Sequence, residues 1–479
     1  MDGLTLEHLG IGAVDRGSPI VVKLAGWITE MFRYPRRYWE ILNQMKLSLL
    51  HLIPKPGVGR LAFRPIVSAS IWARLVDDVL YQKLKKLPGA GTWLEEEQYG
   101  FRKRRSALMS SWKLAILDQS CAQTRKRAYV LFLDLYKAFD TAPLVMIAMA
   151  MIDAGVPDWA TRFIVLWYSQ QRKRISGYDA CDDIVANRGG PQGYVTMPFV
   201  FALFINPLLQ DLKKVDLGGD ALVYPGGGDA RLRGFADDTN LAAGSVAGLQ
   251  ALADAATQWA VRSGVRFGPH KCRVTTLGAG QEQFTVQVQG GDVPWVAEVE
   301  SLGVRFSARS HSGAKGVHPR VISLKGAMPS WRRIVEPKGG VPVVIAAKVL
   351  LPKVLPTLLY GCEVYPKKEQ LLRPLLRKAA QMALGAYNSS SGERMLRFLG
   401  WRPLHGYIER RLRQFVRRLA VSETRRIFDA LRMDMWKDLQ WVRYVTEVCG
   451  GLEFVDEDDD AEEMEAEALV KAEQHPVMQ

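Results

Sequence analysis

Residues 231–243 read RLRGFADDTNLAA. Apolar flanks meet at Ala236-Asp237-Asp238-Thr239, which predicts a β-hairpin with two adjacent carboxylates at its turn. Buried in a sheet, such a pair would repel and lose hydration. A turn exposes it, and a divalent cation neutralises it. Hard cations such as Mg²⁺ take oxygen ligands, usually one or two carboxylates plus substrate phosphates. For a lone Asp-Asp pair an Asx turn is the commoner outcome. Upstream, residues 129–135 (YVLFLDL) form a β-rich run with Asp134 near its end. A strand-end Asp followed by an Asp-Asp hairpin is the carboxylate set that two-metal phosphoryl transfer requires. Between them lies Arg188-Gly-Gly-Pro-Gln192-Gly193, a Gly-rich loop opening a helix, where backbone can approach a nucleotide closely.

Outward from these segments, strand and helix signals alternate, so a mixed fold is expected. Pro143–Ala154 predicts a helix stopped by Gly155 and Pro157, with Asp140 as its N-cap. Met197–Leu212 predicts a buried helix that Pro207 kinks or ends, and Gly248–Ser263 an amphipathic one. Residues from about Val341 to Val448 are helical in pattern and rich in Arg and Leu. Breaks fall at Gly89–Gly91, Gly218–Gly228, Leu277–Gly280, Gly339–Gly340 and Ser389–Gly392.

Composition bounds the function. The chain has 479 residues, 48% hydrophobic and 24% charged, which excludes a disordered, collagenous or coiled-coil protein. Its net charge is +14. Residues 453–473 hold eleven acidic residues and one Lys, a net of −10, so the remainder carries about +24. That excess calls for an anionic partner. Five cysteines without a C-x-x-C pair suit a reducing compartment, and no Cys/His spacing suits zinc. No signal peptide or membrane span is read, so an intracellular protein is expected.

The ordered set IPKPG (53–57), FRPI (63–66), QYGFRKRRS (98–106), FLDLYKAFD (132–140), RGGPQG (188–193), FALFIN (201–206), GFADDTNL (234–241), HK (270–271) and SLGVRF (301–306) resembles the reverse transcriptase of non-LTR (LINE-type) retrotransposons. LPTLLYGCEVY (355–365) and the Arg-rich helices after it are similar to the thumb region of those enzymes. The resemblance covers roughly Leu49 to Leu431. It implies an α+β right-hand polymerase fold of fingers, palm and helical thumb. The expected divisions are a 1–48 extension, fingers at 49–128 and about 155–187, palm at 129–308, thumb at 309–450 and an acidic tail at 451–479.

It also implies roles. Asp134 and Asp237 would hold two Mg²⁺ ions (Mn²⁺ as substitute), with Asp238 assisting and the Leu135 carbonyl completing the shell. Phe139 would be a steric gate against the ribose 2′-OH; the other fate of such a side chain is a place in the core. Gln192 and Gly193 would meet the incoming nucleotide, Lys55 and Arg64 its phosphates, and Lys271 would protonate the pyrophosphate. The implied partners are an RNA template, a DNA primer and dNTPs, with no membrane, and the implied location is the nucleus. Arg102–Arg105, Arg172–Arg174 and Arg410–Arg418, with Trp401 and Phe415 near the last, fit a groove that tracks a nucleic-acid backbone.

Three departures stand out. Tyr194-Val-Thr-Met197-Pro198 replaces the family's Ser-Pro continuation, which would crowd the nucleotide pocket. Arg104 stands where the family carries Gly. No endonuclease is read, so either a truncated or rearranged retroelement copy or an enzyme that borrows its primer is expected, with a separate endonuclease or host factors as candidate partners. The competing reading is a catalytically retired or maturase-like RNA-binding scaffold; a telomerase-like host enzyme is a third, without a visible N-terminal RNA-binding domain.

Overall fold

The computed structural model describes residues 19–54, 63–177, 182–191, 193–310, 319–335, 341–365, 369–386 and 390–452. At its centre is an antiparallel sheet in the order Leu232–Phe235, Asp238–Ala243, Arg127–Leu133, Arg273–Gly278. Strand Arg127–Leu133 is apolar almost throughout because both of its faces are covered. Its alternate residues enter different cores. Ala128, Val130 and Phe132 join a core with Trp112 of helix Ala107–Gln123. Tyr129, Leu131 and Leu133 join one with helices Thr196–Lys214 and Val246–Ser263. Both faces being apolar, a slip of one residue would expose no polar stripe; register is set instead by the hairpin and the crossing strands.

A second sheet has the order Phe63–Ala69, Leu47–Pro54, Gln171–Ile175, Ile184–Ala186. Its middle pair is parallel and its outer pairs antiparallel. Helix Ala107–Gln123, inside the stretch expected as fingers, lies beneath the central sheet. The C-terminal helices share that core: Leu358, Leu376, Leu412, Phe415 and Trp441 pack in the same cluster as Trp112. The Trp441 indole donates to the Glu363 carbonyl at 2.8 Å, and its backbone N–H to Gln119 at 2.9 Å, so the helical end is bonded to the central domain. Among the described residues no helix is long and apolar enough to cross a membrane.

Several local expectations change. Asp140 is not the N-cap of the helix that follows; Pro143 is. Asp140 sits inside the short helix Ala138–Thr141, and the next helix, Leu144–Asp153, starts after Pro143, whose fixed φ already suits a helix entry. Asp140 faces Lys173 at 3.7 Å. Helix Thr196–Lys214 runs through Pro207, at the cost of one backbone bond, because the surrounding core holds it. Leu277 and Gly278 end a strand rather than form a linker.

Part of each basic cluster is engaged within the fold. Arg105 is buried and paired to Glu96, with Glu423 of the helical domain at 3.7 Å. Arg102 donates to the Glu95 carbonyl at 2.7 Å. Arg172 donates to the Asn43 carbonyl and Arg174 pairs with Asp183. Arg411 pairs with buried Glu363 at 2.7 Å, and Arg413 with Glu409. Phe415 and Trp401 are in the core, so neither can stack on a base. These helices are amphipathic, and their aromatics belong to the inner stripe.

Arg104 remains exposed, with φ +61°, in the left-handed region that favours glycine. The strain costs about 1–2 kcal/mol, partly offset by the extra chain entropy that glycine brings to the unfolded state. Arg104→Gly is expected to stabilise the protein by about 0.5–1 kcal/mol, read as a higher urea midpoint. An unchanged or lower midpoint would show that the arginine side chain offsets its own backbone cost.

Candidate active site

The hairpin forms as expected: Phe235 pairs with Asp238, and Ala236 and Asp237 make the turn. Ala236 has φ +55°, as a tight hairpin turn requires. The adjacent strand Arg127–Leu133 ends one residue before Asp134, and Leu133 pairs with Thr239. One further step along this register sets Asp134 beside Asp238 at the mouth of the sheet. Asp134 is fixed from behind. Its N–H donates to the Cys272 sulfur at 3.4 Å, and its carbonyl accepts from Gly268 N–H at 2.9 Å. Leu135 bridges Phe267 through bonds made by its neighbours, Asp134 and Tyr136. Strand alternation then turns the Leu135 carbonyl the other way, towards the carboxylate hairpin.

The three carboxylates sense one another. Loss of hydration and then repulsion from Asp134 raise the Asp237 carboxyl above its ordinary range, with Lys271 opposing. Loss of hydration, then Asp237 and Asp134, push Asp238 up to about 7, although its side chain still reaches solvent. Lys271 lies 3.3 Å from Asp134. Repelling oxygens at a sheet edge fit a hard divalent cation. No three His, Cys, Asp or Glu side chains among the described residues close into a cage of their own. A magnesium site that draws its remaining ligands from substrate phosphates needs no such cage.

The Gly-rich loop is stitched to the Phe139 turn. Gly189 N–H donates to the Ala142 carbonyl at 2.7 Å, and Gly190 N–H to the Phe139 carbonyl at 3.1 Å. Gly189 has φ +67°, and a Cβ there would overlap the Phe139 carbonyl; at Gly190 it would overlap the Met197 sulfur. Gly193 (φ +137°) leaves room only for the Val67 carbonyl of the second sheet. Glycine at these positions is thus dictated by close backbone approach. Phe139 is half-buried, its ring 4.4 Å from that of Phe201. Arg64 lies in strand Phe63–Ala69, opposite Ile53. Lys55, Gln192 and the acidic segment from residue 453 lie outside the described residues.

The run that departs from the family pattern packs mostly into the core. Tyr194, Thr196 and Met197 are buried. Tyr194 packs on Trp167 and Tyr168, and Thr196 bonds Tyr168 at 2.7 Å. The Thr196 N–H and hydroxyl both donate to Asp77 of helix Ile71–Lys85, a fully buried carboxylate pushed up to about 6 by burial. Of this run only Val195 is exposed among the large apolar side chains. Asp77 escaped the sequence reading because nothing local marks an acidic residue that caps a helix far along the chain.

A sheet that presents a carboxylate hairpin beside a strand-end carboxylate, with a Gly-rich loop packed near it, is the palm of a nucleotide-polymerising enzyme. The family model described as reverse transcriptase (RNA-dependent DNA polymerase) matches residues 53–306, and the chain belongs to that family. The curated relatives it matches are proteins of the R1 and R2 retrotransposable elements. It is 30% identical over 173 residues to the Retrovirus-related Pol polyprotein from type-1 retrotransposable element R2 of Popillia japonica, covering 35% of this chain and 24% of that protein. It is 23% identical over 301 residues to the type-2 element R2DM polyprotein of Drosophila melanogaster, covering 60% of this chain and 28% of that protein. The chain thus spans about a quarter of the length of the curated relatives it matches. Among solved structures it is similar to apo telomerase from Candida tropicalis, with TM-score 0.44, 10% identity, and coverage of 91% of this chain and 67% of that one. Reverse transcriptases generally use divalent metal ions.

Proposed function

We propose that this chain extends a primer with dNTPs on an RNA template. The observation that carries this reading is the meeting of Asp134 with Asp237 and Asp238 across neighbouring strands, where their charges repel with Lys271 as the near cation. Asp134 and Asp237 would hold two Mg²⁺ ions, with Asp238 and the Leu135 carbonyl assisting. Bound magnesium supplies charge neutralisation at the attacking and leaving oxygens. Lys271 serves as counter-ion to Asp134 before substrate binds, and as proton donor to the pyrophosphate afterwards. By the family resemblance Lys55 and Arg64 would hold the nucleotide phosphates, Gln192 and Gly193 would contact the nucleotide, and Phe139 would exclude a 2′-OH. Catalysis then rests on positioning and electrostatics.

A retired scaffold would gain nothing from three mutually repelling carboxylates, which only cost stability without a cation. The test is extension of a labelled DNA primer annealed to RNA, with dNTPs and Mg²⁺. Elongation to the template end is expected. Folded protein that binds the hybrid but adds no nucleotide, across salt and with Mn²⁺, would favour the scaffold.

A further inference from the structure

We propose that Gln98 is a positioning residue that sets the carboxylate turn, acting through the backbone of Ala236; this rests on the catalytic reading above. Residues 97–99 run alongside the hairpin as an extra rung. Tyr99 N–H donates to the Gly234 carbonyl at 2.7 Å and Gly234 N–H to the Glu97 carbonyl at 2.8 Å. The Gln98 side chain, fully buried, then reaches the turn itself. Its Oε1 accepts from Ala236 N–H at 2.9 Å and from Gly100 N–H at 2.9 Å. Ala236 is the left-handed residue directly before Asp237. Its buried N–H has no other bond among the described residues, so one amide oxygen satisfies it and fixes the peptide that carries Asp237.

Gly100 closes the clamp. A Cβ there would stand 2.6 Å from Ala236 N, so the segment can lie this close only as glycine. Arg102 and Arg105 both donate to the Gln98 carbonyl, at 3.4 and 3.3 Å. The buried arginines of QYGFRKRRS therefore hold the brace, and Arg105 links it to Glu423 of the helical domain. The Gln98 Nε2 has no partner among the described residues. Only the oxygen is used, and that makes the proposal separable by mutation.

Gln98→Met keeps length and removes the acceptor; Gln98→Glu keeps both the length and the acceptor. Losing a side chain that orients a metal ligand typically costs 10–100-fold in metal affinity or activity. In the full chain, Gln98→Met is expected to lower maximal primer extension about 10–100-fold and to raise the half-saturating Mg²⁺ about tenfold. The KM for dNTP stays near wild type, the melting temperature falls because the Ala236 and Gly100 N–H groups lose their acceptor, and Gln98→Glu restores extension to within about threefold. Mn²⁺ titration followed by EPR, with the metal alone as probe, should show the same loss of affinity in Gln98→Met. Gly100→Ala, which pushes on Ala236 from the other side, should reproduce that signature and carries the test if Gln98→Met fails to fold. Wild-type kinetics and Mn²⁺ binding in a folded Gln98→Met or Gly100→Ala would overturn the proposal, as would a Gln98→Glu loss equal to that of Gln98→Met. Wild-type protein that neither extends nor binds Mn²⁺ would instead refute the catalytic reading on which this one stands.

Discussion

Asp237→Asn is expected to lower primer extension on the order of 10³-fold or more while RNA binding stays within about twofold. The amide and the carboxylate are nearly the same size, so packing at the turn is unchanged. What is lost is one negative charge facing Asp134 and Asp238. In the folded chain that charge is already unfavourable, since burial and Asp134 hold the Asp237 carboxyl above its ordinary range. Removing it should therefore leave stability equal or slightly higher, as at other sites where function is kept against stability. The combination decides the matter: a variant that melts at or above the wild-type temperature, binds RNA and does not extend has lost a cation ligand. Extension within about tenfold of wild type would remove Asp237 from the metal site.

Phe139→Val is expected to raise ribonucleotide incorporation about 10²-fold relative to deoxyribonucleotides, read as the ratio of kcat/KM for rNTP and dNTP. The ring is half-buried, stacked at a tilt on Phe201, and its own carbonyl is held by Gly190 of the Gly-rich loop. Backbone and neighbour thus fix the ring from two sides, which a steric gate needs: a gate that can swing excludes nothing. Valine keeps some contact with Phe201 and opens space at the ring's outer end. A cost in stability of about 1–3 kcal/mol accompanies it, since part of the ring is buried. If the ratio does not move while stability falls, Phe139 is a core side chain and no more.

The palm was legible because its signals are local. An apolar run ending in Asp134 and a turn of Ala236 and Asp237 between short strands are written within a dozen residues each, and strand pairing follows from them. The Gly-rich loop was legible for a related reason, since Gly189 and Gly190 sit where no Cβ fits. What failed depended on distant partners. Arg105 and Arg411 stood in clusters read as fitting a nucleic-acid groove, and the fold pairs them with Glu96 and Glu423 and with Glu363. Charge in a sequence says nothing of a counter-charge supplied by another element. Trp401 and Phe415 failed alike: their helical stripe faces inward, and cations beside an aromatic do not reveal which face is wet. The direction of Tyr194 and Met197 was not legible either; both are buried in the core. Gln98 was quoted within a motif, yet its oxygen's reach to Ala236 is a tertiary fact.

The central claim is that the edge between Asp134 and the Asp237 turn is a metal-dependent polymerising centre. Its most direct test is the anomalous diffraction of Mn²⁺ in crystals of the full chain with an RNA template, a chain-terminated DNA primer and an incoming dNTP. Manganese peaks in contact with the carboxylates of Asp134 and Asp237 and with the nucleotide phosphates are expected. A bound primer–template and nucleotide with no manganese at these carboxylates, or with the nucleotide seated away from them, would contradict it.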